Sequence, residues 1–241
     1  MSMRKAGVWK LAASGLAASV CAGGASANLI NEFEPNPAGG DPAMVSLELL
    51  GTPGASFTGA ITSIDTDGGT AFGVVNSTEP VSGTYDANGL LTVSISDLEN
   101  PSFILVLSSV GVAGGTDLDT ADDGLVDDPS LFGTVYDAIG IIDSVGDASG
   151  IPAQLGGDEF ATPNEFEIAF RDGTTQAWFG VDTFTGEVFD IDGTVFGAGD
   201  FDIDPLVTTF TATNPSFIPE PASLALVGLG GLAMLRRRRG A

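Results

Sequence analysis

The chain of 241 residues contains no histidine, and its only cysteine is Cys21. Histidine is the commonest general base and a leading ligand of transition metals, so neither a Ser-His-Asp triad nor a Cys-His pair can form. Cys21 lies in a segment that we expect to be removed. The mature chain then has no disulfide, no zinc ribbon and no thiol chemistry.

Basic residues are almost absent from the middle of the chain. Between residues 28 and 218, Arg171 is the only basic residue against 31 acidic ones, a formal net charge of −30. The absence of lysine excludes Schiff-base chemistry and a P-loop phosphate site. The negative charge repels nucleic acid, so we expect no nucleic-acid partner. Divalent cations or basic partners fit this charge, and adaptation to salty water explains it equally well.

The first 27 residues form a secretion signal. A basic start is followed by an apolar stretch at 11–22 and by Ala25-Ser26-Ala27. Small residues at Ala25 and Ala27 are those that signal peptidase reads, which predicts cleavage before Asn28. A lipoprotein signal at Cys21 is the alternative, but the branched Val20 precedes it where a small residue is required.

The C-terminal 23 residues have three consecutive parts. Pro219-Glu220-Pro221 precedes an apolar run from Ala222 to Leu235, and four arginines follow, namely Arg236, Arg237, Arg238 and Arg239. The apolar run spans about 21 Å as a helix, which is short for a hydrocarbon core of ~30 Å, although the arginines extend its reach. It predicts a hydrophobic helix that enters the inner membrane, at least transiently, with the arginines on the cytoplasmic side.

This tail resembles the PEP-CTERM sorting signal, which is also called the ice-binding protein C-terminal domain. The resemblance implies recognition by an exosortase, processing near the Pro-Glu-Pro box, and delivery to the envelope or extracellular matrix of Gram-negative bacteria that make exopolysaccharide. An ordinary tail anchor is the alternative interpretation. The chain is thereby divided into a signal peptide (1–27), an acidic domain (28–218) and a sorting tail (219–241).

The acidic domain is predicted to be all-β. Short runs of branched and aromatic residues recur about every ten positions and are separated by Gly-containing turn signals such as Asn88-Gly89 and Thr185-Gly186. No convincing helix of ten residues is present. The pattern predicts an antiparallel two-sheet sandwich, with a closed barrel as the alternative. The predicted strands are 45–49, 59–64, 71–75, 90–95, 102–107, 135–142, 165–170, 175–181 and 187–191.

The start of this domain resembles the lamin tail domain, an immunoglobulin-like sandwich. The matching segments are Leu29-Ile30-Asn31-Glu32-Phe33, Pro35-Asn36-Pro37, Gly39-Gly40-Asp41, Leu47-Glu48-Leu49 and the later Tyr136-Asp137-Ala138-Ile139-Gly140. Val45-Ser46 departs from the family, which usually has a glutamate followed by an aromatic residue there. The resemblance implies a binding or surface module and brings no catalytic residues.

A dense acidic cluster is the candidate metal site. Carboxylates this close repel one another unless a cation such as calcium lies among them, but their spacing does not follow the EF-hand loop. A solvated acidic loop is the alternative. The candidate calcium ligands are Asp117, Asp119, Asp122, Asp123, Asp127 and Asp128. A second acidic set, explained by strand alternation or by a second cation site, comprises Asp190, Asp192, Asp200, Asp202 and Asp204.

The leading functional hypothesis is a non-enzymatic envelope or matrix protein, either a surface module or a module that binds exopolysaccharide, with calcium as a candidate cofactor. The alternative is a carbohydrate-active enzyme that works through two carboxylates, drawn from Asp158-Glu159 and Glu165-Glu167. Five aromatic residues are either sugar-stacking or core residues, and the core interpretation is favoured. They are Trp178, Phe179, Phe184, Phe189 and Phe196.

Overall fold

The computed structural model describes residues 28–37, 39, 42–68, 72–98, 102–161 and 164–219. The predicted signal peptide, with Ala25 and Ala27, lies outside the described residues. So does the tail from Glu220 onward, with the apolar run and the four arginines. Within the described ranges, no helix is long and apolar enough to cross a membrane. The predicted membrane helix is therefore still a prediction.

Two β-sheets pack face to face and confirm the predicted sandwich. The strands are β1 Leu29–Phe33, β2 Met44–Leu50, β3 Ser56–Asp65, β4 Val74–Thr84, β5 Leu90–Ser96, β6 Phe103–Ser108, β7 Val135–Ile141, β8 Asp158–Glu159, β9 Ile168–Arg171, β10 Trp178–Asp182, β11 Glu187–Asp190 and β12 Val195–Gly197. The larger sheet has the strand order β12-β11-β10-β9-β1-β2-β5, and the smaller has the order β4-β3-β6-β7-β8. Within the described ranges, all strand pairings are antiparallel except the short parallel contact of β7 with β8.

Alternation along the strands builds the main core between the sheets. In β6, Phe103, Leu105 and Leu107 enter this core, where they meet β1 and β2 residues such as Phe33 and Leu47. Successive side chains of a strand point to opposite faces, so the intervening β6 residues point the other way. The continuous apolar run of β6 is thus buried on both faces, as predicted for a central strand.

Loops cover the outer faces of both sheets. Over the smaller sheet, Ile104 and Val106 pack against Phe132 of the loop after β6 and against Ile151 of the only helix in the described ranges, α1 Ile151–Gln154. Over β9–β11 of the larger sheet, a second covered face is closed by Phe201 and the residues that follow it. Three 3-10 turns lie at Pro129–Phe132, Val145–Asp147 and Ala198–Asp200.

The sequence-based strand bounds are right in the middle of most strands and differ at some ends. The predicted strand 71–75 belongs to the start of β4, which continues to Thr84. The prediction of 165–170 begins too early, because β9 starts at Ile168. The predicted ranges also lack three strands, β1, β8 and β12, of which only β1 lies in a segment that matches the lamin tail domain.

Candidate functional site

The predicted calcium ligands hold the backbone of their own loop. Asp119 is buried, and its carboxylate accepts hydrogen bonds from the N–H groups of Asp123 and Gly124 at 3.0 and 2.7 Å. Four exposed members accept from nearby backbone groups in the same manner: Asp117 from Asp119, Asp123 from Leu125, Asp127 from Thr120, and Asp128 from Ser130. These carboxylates therefore order the loop without requiring a cation.

Three members of this cluster share one cleft. Asp117, Asp122 and Asp123 line an open cavity of about 730 Å³ together with Phe72 and Gly68. In the part of the chain that the structure describes, no group of three or more acidic side chains is arranged to hold a metal ion. The calcium site stays a prediction, and the cleft is an acidic surface feature.

The second acidic set also stabilises turns. Asp190 accepts from the N–H groups of Asp192 and Thr194 across the β11–β12 turn, at 3.1 and 2.7 Å. Asp200 accepts from Gly197, and Asp204 from Leu206, at 2.8 and 3.0 Å. These carboxylates stabilise the conformation of the nearby backbone, as aspartates in turns commonly do.

Among the five candidate aromatic residues, the structure separates one from the rest. Trp178, Phe179 and Phe189 are buried in the cores, and Phe196 packs against Phe179 with ring centroids 5.7 Å apart. Phe184 is 81% exposed. The core interpretation holds for four of the five, and Phe184 alone is free to stack on a ligand.

Phe184 lies at the tip of the β10–β11 hairpin, on a turn with a fixed backbone. Asp182 accepts hydrogen bonds from the N–H groups of Phe184 and Thr185, both at 2.9 Å. Glu167 accepts from Thr183 N–H at 2.6 Å, and burial raises the pKa of Glu167. The turn closes at Gly186, whose φ of 75° suits glycine. The exposed ring is therefore carried by a backbone that hydrogen bonds hold in place.

A surface groove of about 240 Å³ runs beside this ring. It is lined by Asn164, Glu165, Glu167, Asp182 and Phe184. An amide and carboxylates next to an aromatic face are the usual components of a small-ligand site, in which polar groups orient a ligand that packs on an apolar surface. A second groove of about 290 Å³ also includes Glu167 in its lining.

In each of the two carboxylate pairs considered for catalysis, one member is held by hydrogen bonds within the fold. Glu159 accepts hydrogen bonds from Ser149 N–H with both carboxylate oxygens, each at 3.2 Å. Glu167 is bound to the hairpin turn, whereas Asp158 and Glu165 are exposed. Each pair thus combines one anchored carboxylate with one solvated carboxylate.

Two buried glutamates, which the sequence analysis did not single out as a site, fasten the C-terminal segment 204–218, called the strap below. Glu32 of β1 and Glu48 of β2 are in register. Thr209 donates its N–H and its hydroxyl to Glu32 at 2.8 and 3.0 Å, and Thr211 N–H donates to Glu48 at 2.6 Å. The pKa of Glu32 is raised to about 7, chiefly by burial; the Thr209 hydrogen bonds lower it in part, and the charges of Glu48 and Glu34 add a smaller rise.

The single cation of the domain is buried as well. Arg171 forms an ion pair with Asp137 at 2.8 Å, and its Nε donates to the Ile30 carbonyl at 2.9 Å. Its guanidinium carbon lies 4.3 Å from the centre of the Trp178 ring. Arg171 is thus part of the fold and is not presented to a ligand.

A family model for the PEP-CTERM protein-sorting motif matches residues 217–239. The predicted sorting tail is confirmed, and the motif indicates a secreted surface protein that an exosortase recognises and that is exported to the cell envelope or surface. No curated protein and no solved structure matches the chain significantly. The resemblance to the lamin tail domain stays a prediction.

Proposed function

We propose that this exosortase-targeted surface protein is a non-enzymatic module that binds exopolysaccharide at the groove beside Phe184. The observation that carries the proposal is a large aromatic ring, 81% exposed, on a turn whose backbone is fixed by two carboxylates. An exposed aromatic of this size on a rigid support is characteristic of binding surfaces, because little conformational entropy is lost when it is covered.

The lining residues suit a sugar chain. The C–H face of a pyranose ring is apolar enough to pack on Phe184, while its hydroxyl groups are donors for Glu165, Asp182 and the Asn164 side chain. Among the residues that the structure describes, no basic side chain lines this groove. Uronate-rich polymers are therefore disfavoured by charge, and neutral or amine-bearing polymers are favoured.

The route to the surface is also part of the proposal. Signal peptidase releases the N-terminal segment, and the C-terminal apolar helix holds the chain at the inner membrane until the exosortase acts. The acidic domain then faces away from the cytoplasm, which agrees with the position of the four arginines.

The test is a calorimetric titration of the purified chain with three polymers, namely a neutral glucan, an amine-bearing glucan and a polyuronate. We expect the first two to bind and the polyuronate to fail. Phe184→Ala is expected to weaken binding about tenfold, which corresponds to ~1.4 kcal/mol. Leu131→Ala, which removes an exposed apolar side chain from the other sheet's loop region, is the matched control.

Two results would overturn the proposal. Equal affinity of the Phe184→Ala variant and the unchanged chain would remove the groove as the site. Release of reducing ends from any of the polymers, lost in Glu165→Gln or Glu159→Gln, would favour the alternative enzyme.

A further inference from the structure

The sorting motif begins inside the folded domain. Its first two residues, Phe217 and Ile218, are part of the strap. The ring centroid of Phe217 lies 4.9 Å from that of Phe196, 5.9 Å from Phe201 and 6.4 Å from Phe179. The motif therefore starts on the aromatic face that covers β10 and β11.

The backbone at this point is bonded to the domain too. Phe217 N–H donates to the Asp172 carboxylate at 2.6 Å, and Ile218 N–H donates to the Asp200 carbonyl at 2.7 Å. Burial raises the pKa of Asp172, but backbone hydrogen bonds, including the one from Phe217, outweigh burial and hold the pKa below its usual range. Both N–H groups directly before Pro219 are thus occupied.

Buried groups fasten the preceding strap residues. Asn214 donates to the backbone carbonyls of Asn31 and Arg171 at 3.1 and 2.8 Å, and its amide oxygen lies 3.1 Å from the Thr209 hydroxyl oxygen, whose one hydrogen is shared between Asn214 and Glu32. Thr209 and Thr211 are bonded to the two buried glutamates. The contacts with Asn31, Glu32 and Glu48 join sequence positions more than 150 residues apart, so the strap leaves the domain only by breaking several bonds together.

We propose that the strap is a catch that limits access of the sorting enzyme to its motif. An enzyme that reads an extended peptide needs the free N–H and C=O groups of the residues that flank its recognition box. Here the residues on the N-terminal side of the box are docked. The enzyme therefore engages the motif after local opening of the strap, and the free energy of that opening sets the rate of sorting.

A reversible disulfide tests the catch without altering the motif. The Thr174 and Ser216 hydroxyl oxygens lie 3.1 Å apart, so Thr174→Cys and Ser216→Cys bring two thiols close together, and loss of free thiols on oxidation confirms that the bridge has formed. All chains carry Cys21→Ser, so that no other thiol is present. The readout is the rate at which newly made chains reach the cell surface in a host that has the sorting enzyme.

We expect the oxidised double variant to reach the surface at least about fivefold more slowly, because a strap that is covalently bridged to the domain cannot open. A reducing agent restores the rate, and each single-cysteine chain sorts normally. Normal sorting of the oxidised, fully bridged chain would overturn the proposal. Glu220→Ala is measured in parallel. If this variant sorts normally, the Pro-Glu-Pro box does not direct sorting, and the fault lies in the assignment of the motif and not in the proposed role of the strap.

A second variant loosens the strap. Asn214→Ala removes the hydrogen bonds of that side chain, so amide hydrogen exchange at residues 209–218 is expected to rise at least about tenfold while β6 stays protected. Sorting is then expected to be faster than in the unchanged chain. Exchange that rises equally in β6 and in the strap would show that the strap does not open as a unit, and it would contradict the catch.

Discussion

Two acidic regions of this protein use the same chemical group in opposite ways. In the loop 117–128 most carboxylates are exposed, and they accept hydrogen bonds from backbone groups a few residues away. Under the strap, Glu32 and Glu48 are buried and accept from residues more than 150 positions away in the sequence. The exposed loop carboxylates shape their own turn, whereas Glu32 and Glu48 tie distant segments together, so we expect Glu32 and Glu48 to affect the stability of the whole fold more.

The largest expected effect comes from the most strongly buried charge pair. Arg171→Met leaves the Asp137 carboxylate without its cation inside the domain, so we expect a loss of about 3–5 kcal/mol in the free energy of unfolding. Chemical denaturation measures it. Arg171→Met combined with Asp137→Leu is the control and is expected to recover part of the loss. A loss below about 1 kcal/mol in the single variant would show that the pair is effectively solvated.

The next effect is a pH dependence from Glu32. Its pKa is about 7 in the folded chain against 4.5 ordinarily, so the folded state binds the proton more tightly than the unfolded state does. Stability from this group is complete below about pH 4.5 and falls as pH rises through 7, by about 3 kcal/mol in total. Glu32→Gln removes this contribution, so the difference between the two chains should change with pH. Parallel pH profiles of the two chains would contradict the assignment.

A smaller effect distinguishes buried from exposed members of the acidic loop. Asp119→Ala removes the acceptor for two backbone N–H groups, which predicts a loss of about 1–3 kcal/mol. Asp123→Ala, at an exposed position in the same loop, is expected to stay within about 0.5 kcal/mol. Thermal unfolding compares them. Equal losses would show that exposure does not separate the roles of these residues.

The smallest effect is expected from calcium. Because five of the six loop carboxylates accept hydrogen bonds from backbone N–H groups, calcium and magnesium at matched ionic strength should raise the thermal midpoint equally, through general screening of the negative domain. A rise specific to calcium would follow RT ln(1 + [L]/Kd), and it would establish the calcium site in place of the solvated loop.

The sandwich fold could be predicted from the sequence because strand alternation and turn signals depend on residues that are close together in the chain. The run Phe103-Ile104-Leu105-Val106-Leu107 predicts a strand buried on both faces, and β6 is that strand. The strap could not be predicted, because its contacts join residues such as Thr209 and Glu32 that are far apart in the sequence. A signal was present nonetheless: Glu32 and Glu48 each lie in a strongly apolar strand, where a buried charge needs a partner.

Phe184 shows the same limit at the candidate site. The turn signal Thr185-Gly186 adjoins it, and connecting segments usually lie on the surface of a fold. From the sequence alone, Phe184 could not be distinguished from the four other candidate aromatic residues. Only the hairpin geometry, with Asp182 and Glu167 holding the turn, separates it from the core residues.

The most direct test of the proposed function is retention in the matrix of exopolysaccharide-producing cells. The unchanged chain and Phe184→Ala are exported in parallel, and the fraction that stays with the washed matrix is measured by immunoblot, with Leu131→Ala as control. We predict that Phe184→Ala is exported normally but is largely lost to the medium, while the control is retained. Equal retention of all three chains would contradict the assignment of the groove as the binding site.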